Sequence, residues 1–299
     1  MAGPFTHDAA ETISDPMKIT TAIHASVWAS RFDAESLRPA VEKSATIGFD
    51  HLVVPLRRFE DIDPPAIAKI FSEHGLTPLN TAGVGEENDI GSPDADTRQK
   101  GIAHLTKGAS LARDMGSQQI NGVLYGPIGK RAAPSTRDAL LRSAEAIGSV
   151  CRAASDMGVR LAIEMVNRYE TNLLNTVEQG LEFIELCGAK NLFLHLDTFH
   201  MSIEESDPHS AIRNAFSKIG YFELDQSHRG YLDQGSLQLS GWLGQLKELD
   251  YCGIIGIEAF SASRMAPDHA AALAVWRDVF ADGDRLARDG MQLIRAVFS

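Results

Sequence analysis

The chain is short of the features that would place it in several broad functional classes. It has no apolar run of the roughly 18 residues needed to cross a bilayer, so no membrane-spanning helix and no membrane partner are expected. Lys and Arg number 28 against 40 Asp and Glu, a formal net charge of −12. No Lys/Arg-rich run breaks that balance, which leaves nothing to neutralise a phosphate backbone and makes nucleic acid an unexpected partner. Only three cysteines occur, Cys151, Cys187 and Cys252. They are odd in number, widely spaced and set in apolar or helical contexts, which suits buried small hydrophobes in a reducing compartment better than a disulfide framework. Residues 1–17, MAGPFTHDAAETISDPM, lack the basic start and apolar stretch of a targeting peptide. A flexible N-terminal tail and a cytoplasmic protein are expected.

No Pro/Gly/Ser linker divides the rest, and residues 18–299 are expected to form one domain. From Ile19 onward, short β-rich runs alternate with longer stretches of helical period, the pattern of repeated βα units around a parallel sheet. Eight strands are predicted, at Ile19–Ser26, His51–Leu56, Thr77–Val84, Gln119–Tyr125, Arg160–Val166, Leu192–Thr198, Tyr221–Gln226 and Gly253–Phe260. Ser135–Asp138 and Asn175–Glu178 resemble capping boxes, while Gly48, Gly75, Gly116, Gly158 and Gly188 stand where helices should stop. An open doubly wound sheet wants a glycine-rich phosphate loop after its first strand, and the residues there, Val27 to Phe32, include no glycine. The pattern therefore predicts a single (β/α)8 TIM barrel, with irregular loops at 57–64, 85–97, 126–135, 199–207 and 227–240.

Such barrels place their chemistry at the C-terminal ends of the strands. Four carboxylates fall there amid apolar residues: Glu164 in LAIEMVN, Asp197 in LFLHLDTFH, Glu223 in GYFELDQSHRG and Glu258 in IIGIEAF. Consecutive members are separated by about one βα unit, so they should come from strands five to eight and converge. Like charges that close are held apart in ionisation unless a cation compensates, and oxygen-rich sites favour Mg²⁺ or Mn²⁺ over Zn²⁺. The competing reading is that individual acids merely pair with Arg168, Arg229 or His195.

The runs EMVNRYETNLLNT, LDTFHMSIEES, QSHRG and IEAF, in this order, resemble the ketose 3-epimerases of the D-tagatose/D-psicose (D-allulose) type, within the wider sugar isomerase/epimerase barrel superfamily. The resemblance implies a small-molecule sugar substrate, a divalent metal, Mn²⁺ or Mg²⁺, and a homo-oligomer, either a dimer or a tetramer. In that family a Glu, an Asp, a His and a Glu hold the metal, and the two Glu ligands also move the proton beside the ketone. Carried over, the ligands are Glu164, Asp197, position 223 and Glu258, with Glu164 and Glu258 catalytic. Position 223 departs from the pattern, because Glu223 stands where the family has His, and Asp225 and Gln226 follow where a Gly-Glu-Ser-like turn is usual. His195, on the same side of its strand as Asp197, and His228 are candidates to replace the missing imidazole. Glu170, His200 and Arg229 are the implied substrate contacts. His24 and Trp28 after the first strand are candidates to line the sugar pocket, Trp28 equally suiting ordinary packing, and VVPL after the second strand is apolar.

The expected reaction is proton transfer at the carbon next to a ketone, giving an epimer or an aldose–ketose isomer according to where the proton returns. Elimination from an inosose or a keto-glycoside starts with the same deprotonation and stays open, as does a metal-free sugar-binding barrel. DNA-repair endonucleases of the same barrel need more His ligands and a basic groove, which this chain lacks.

Overall fold

The apolar residues of each strand alternate in facing, and that alternation builds two cores. The computed structural model describes residues 19–299; the tail expected over residues 1–17 lies outside the described residues. The strands are β1 (Thr20–His24), β2 (His51–Pro55), β3 (Thr77–Thr81), β4 (Gln119–Gly122), β5 (Arg160–Glu164), β6 (Leu192–Asp197), β7 (Ile219–Leu224) and β8 (Ile254–Ile257). All pair in parallel with their sequence neighbours, and β1 pairs with β8 to close the barrel. Outward residues such as Ile23, Val54, Ile163, Leu196 and Ile257 join the main apolar core under the helices. Ala22, Val53, Leu79, Tyr221 and Ile254 form a separate small cluster that fills the barrel itself.

The surrounding helices are α1 (Ala34–Ile47), α2 (Pro64–Glu73), α3 (Ala95–Met115), α4 (Arg137–Asp156), α5 (Val177–Cys187), α6 (Thr198–Glu204), α7 (Pro208–Ala215), α8 (Leu239–Glu248), α9 (Pro267–Ala272) and α10 (Gly283–Phe298). Gly48, Gly116 and Gly188 end α1, α3 and α5 in the left-handed conformation, as their positions predicted. Only one of the two expected capping boxes forms, and both caps lie one residue later than expected. Thr136 caps α4 through Ala139, and Thr176 forms the box with Gln179. Asn175 is occupied otherwise, since its amide donates to the carbonyls of Val166 and Thr171 and closes the preceding loop. The loop expected over 199–207 is another correction, because α6 fills most of it, started by the Asp197 side chain.

Register fixes which side chains share a level. Glu164 pairs with His195 and His195 with Tyr221, while Asp197 pairs with Glu223 and Glu223 with Gly256. A side chain two residues further along each strand stands one pleat nearer the C-terminal mouth, on the same face. That step carries Glu223 to Asp225 and Gly256 to Glu258. Glu258 lies one residue beyond β8, yet its N–H still bonds to the carbonyl of Leu224 at 3.1 Å, which continues the ladder and holds the side chain in place.

Candidate functional site

Four expected carboxylates do converge, arranged as a ring. Ligand atoms within 4.8 Å of one another link Glu164 with Asp197, Asp197 with Glu258, Glu258 with Glu223, and Glu223 with Glu164, in overlapping groups that also contain His24, His195, His200 and Asp225. Glu164 and Glu258 share no such group and stand across the ring. These two line a cavity of about 500 Å³ at the C-terminal mouth, together with His24, Glu170, His195, His200 and Arg229. Pro55 and Leu56, from the apolar VVPL run, form part of its wall.

Each acid has a distinct setting. Asp197 is fully buried; its Oδ1 accepts the N–H groups of Phe199 and His200 at 2.7 and 3.1 Å, and its Oδ2 has no hydrogen-bond partner. Glu223 is also fully buried, but both oxygens are engaged. Tyr221 Oη donates to Oε1 at 2.8 Å, His195 Nε2 lies 2.9 Å from Oε2, and His24 Nε2 lies 3.0 Å from Oε1. Glu164 faces His195 Nδ1 at 3.5 Å and His200 Nε2 at 3.4 Å. Glu258 meets the Arg229 guanidinium directly and His24 Nδ1 at 3.5 Å.

Those surroundings drive the two cavity-facing acids in opposite directions. Burial raises Glu258 to about 8, with Arg229 only partly offsetting it and Glu223 adding to it. Burial also acts on Glu164, but His195 and His200 outweigh it and hold the carboxyl below its ordinary value. Burial pushes Asp197 up as well, against the pull of His200 and Arg229. For His195 burial acts downward, and the carboxylates of Glu164 and Glu223 overcome it, raising the imidazole to about 9.

Arg229 adopts a left-handed backbone at φ 59° and lies between the Phe199 and Phe260 rings, 4.6 and 4.7 Å from their centroids. Its Nε donates to Asp225 Oδ2 at 2.7 Å, and Glu170 lies 3.8 Å away. His200 Nδ1 accepts from the backbone and amide of Asn167 at 3.2 and 2.9 Å, so its proton sits on Nε2, toward Glu164. Asn167 also donates to Glu170 at 2.9 Å. Asn167 was not singled out in the sequence, although it sits in the quoted run EMVNRYE. His269 was missed too; it lines the cavity edge-on to Phe260, and burial lowers it to about 4.

Two expected residues fall elsewhere. Trp28 is absent from the cavity wall, because its indole N–H donates to Asp284 of α10 at 2.7 Å. His228 is half-buried, lines a neighbouring groove and belongs to none of the ligand groups, so it does not replace the missing imidazole. Arg168 pairs with Glu204 at 2.9 Å and neutralises no site acid.

A divalent cation fits this donor set. Buried carboxylate oxygens without partners, such as Asp197 Oδ2, are costly unless a cation or proton satisfies them. Glu164, Asp197, Glu258 and a fourth oxygen donor would hold it.

The match to known proteins is extensive. Residues 41–296 fit the model of the xylose isomerase-like TIM barrel family. The chain belongs to that family. The ketose 3-epimerase of Arthrobacter globiformis is 36% identical over 272 residues, covering 91% of this chain and 94% of that protein. The L-ribulose 3-epimerase of Mesorhizobium japonicum is also 36% identical over 272 residues, covering 91% and 92%. Among solved structures, the D-allulose 3-epimerase from Methylomonas sp. in complex with D-allulose superposes with a TM-score of 0.91 at 32% identity, over 95% of this chain and 98% of that one. Family membership thus agrees with the resemblance carried by the motifs of β5 to β8.

Proposed function

We propose that this protein is a metal-dependent ketose 3-epimerase acting on a small free ketose. One observation carries the reading: of the four ring carboxylates, Glu164 and Glu258 alone line the cavity, and they do so across the ring from each other. A group on each side of a substrate carbon can remove a proton from one face and return it to the other, which inverts that carbon. The named relatives, ketose and L-ribulose 3-epimerases, support this choice over aldose–ketose isomerisation.

In the proposed reaction Glu164, kept ionised by His195 and His200, takes the proton beside the ketone. Glu258, carrying a proton at the start of the turnover, supplies one from the opposite face, and the roles reverse for the other epimer. His200 Nε2–H and Arg229 orient sugar oxygens, with Glu170 fixing Arg229 and Asn167. His24 closes the floor of the cavity. A bound Mn²⁺ or Mg²⁺ supplies Lewis-acid stabilisation of the charge that develops on the ketone oxygen. A cytoplasmic location and assembly into a dimer or tetramer belong to the same proposal, supported by the resemblance and by buried thiols at Cys151 and Cys187 that burial keeps protonated.

The test is incubation with L-ribulose, D-allulose and D-tagatose in D₂O with Mn²⁺, read by NMR. Deuterium at carbon 3 with appearance of the 3-epimer supports the reading. Aldose products would make the enzyme an isomerase, and dehydration or cleavage of a keto-glycoside in a parallel assay would make it a lyase.

A further inference from the structure

The geometry points to Asp225, not Glu223, as the oxygen donor that completes the metal site with Asp197, Glu258 and Glu164. The inference rests on the proposal that the site holds a divalent cation.

Three observations separate the two acids. Asp225 is fully buried and its Oδ1 has no hydrogen-bond partner, Oδ2 being taken by Arg229 at 2.7 Å. Asp197 Oδ2, equally buried, is unpartnered as well, and Asp197, Asp225 and Glu258 bring ligand oxygens within 4.8 Å of one another. Two unpartnered carboxylate oxygens in one buried cluster are costly unless a cation or a proton satisfies them, and a divalent cation would satisfy both at once. Neither oxygen of Glu223 is left unpartnered, since Tyr221 donates to Oε1 and His195 Nε2 lies 2.9 Å from Oε2, with His24 also 3.0 Å from Oε1. Register agrees: Glu223 faces Gly256, one pleat deeper, whereas Asp225 stands at the level of Glu258.

The two departures from the family pattern then have separate roles. Glu223 becomes a positioning residue that anchors His24 and His195 below the site. Asp225 takes the place at the mouth that the imidazole vacates, converting a site with one nitrogen into one with oxygen donors only. Such a set favours Mg²⁺, Mn²⁺ or Ca²⁺ and discriminates against Zn²⁺.

Mn²⁺ alone, without sugar, tests this on the chelator-stripped full-length protein by calorimetric titration. Replacing an outer-sphere partner typically weakens metal binding about 10–100-fold. Asp225→Asn should exceed the top of that range, about 100-fold, while Glu223→Gln should stay near its bottom, about 10-fold. Equal or reversed losses overturn the assignment, as does a wild type that binds no Mn²⁺; the deuterium assay decides the epimerase reading independently. Pulsed EPR of Mn²⁺ in the wild type needs no variant to fold. Absence of directly bound ¹⁴N agrees with the assignment, and a strong ¹⁴N coupling shows that an imidazole, of His24, His195 or His200, is a ligand and overturns the all-oxygen set.

Discussion

The hydroxyl of Tyr221 reaches Glu223 across the backbone of Gly256, in the space that a Cβ at position 256 would fill. Tyr221 and Glu223 lie two residues apart on β7 and Gly256 lies opposite on β8, so the missing side chain on one strand makes room for a ring on its neighbour. This contact plugs the barrel and supplies one of two hydrogen bonds to a carboxylate that has no exposure to water.

Gly256→Ala should therefore destabilise the protein by about 1–3 kcal/mol, the usual range for overpacking a dense core. Urea unfolding measures it. In a Tyr221→Phe background the same change should cost less, because the hydroxyl nearest the new methyl group is gone; an unchanged penalty would place the strain elsewhere.

The metal-free protein should lose stability as solution turns alkaline. His195 is raised from 6.5 to about 9 in the folded state by Glu164 and Glu223, against the effect of burial. A raised folded value means the stabilisation is complete below the unfolded value and disappears as pH passes through the folded one. In chelator, the melting-temperature advantage of wild type over His195→Gln should shrink between pH 6.5 and 9. A gap that widens across that window would contradict the assigned ion pairs.

Arg229→Lys should impair both stability and turnover. A flat guanidinium fits between Phe199 and Phe260 while reaching Asp225 and Glu258, and an ammonium cannot fill that slot or bridge both acids. About 2 kcal/mol of stability and about 100-fold in deuterium exchange are the expected losses. Exchange within about threefold of wild type would remove Arg229 from the proposed substrate contacts.

Trp28→Phe should spare activity. The indole N–H bonds to Asp284 rather than to anything in the cavity, so the substitution should cost about 1 kcal/mol in unfolding and leave KM for the sugar unchanged. A rise in KM without loss of stability would return Trp28 to the pocket.

Much of this was legible in one dimension. All eight strands lie within the segments predicted for them or overlap those segments closely, because a parallel barrel writes its period into the chain: buried strand, helix, glycine stop, next strand. Glu164, Asp197, Glu223 and Glu258 were equally visible, since an acid amid apolar strand residues is too costly to be incidental. The helix α6 over part of 199–207 was not, because its start depends on the Asp197 side chain accepting the N–H groups of Phe199 and His200, a contact that residue type alone does not reveal.

What the sequence determined alone was the repeat, the barrel and the set of acids near its mouth. Only the tertiary structure decided what each acid touches. Linear spacing gives the strand and the side a residue occupies, but its partners can come from strands at the opposite end of the chain. His24 reaches Glu223 and Glu258 because β1 closes onto β8, and Tyr221 reaches Glu223 because Gly256 leaves a gap. Those contacts engage both oxygens of one buried carboxylate, while Asp197 and Asp225 each keep one oxygen unpaired, a difference set by hydrogen-bond satisfaction in three dimensions.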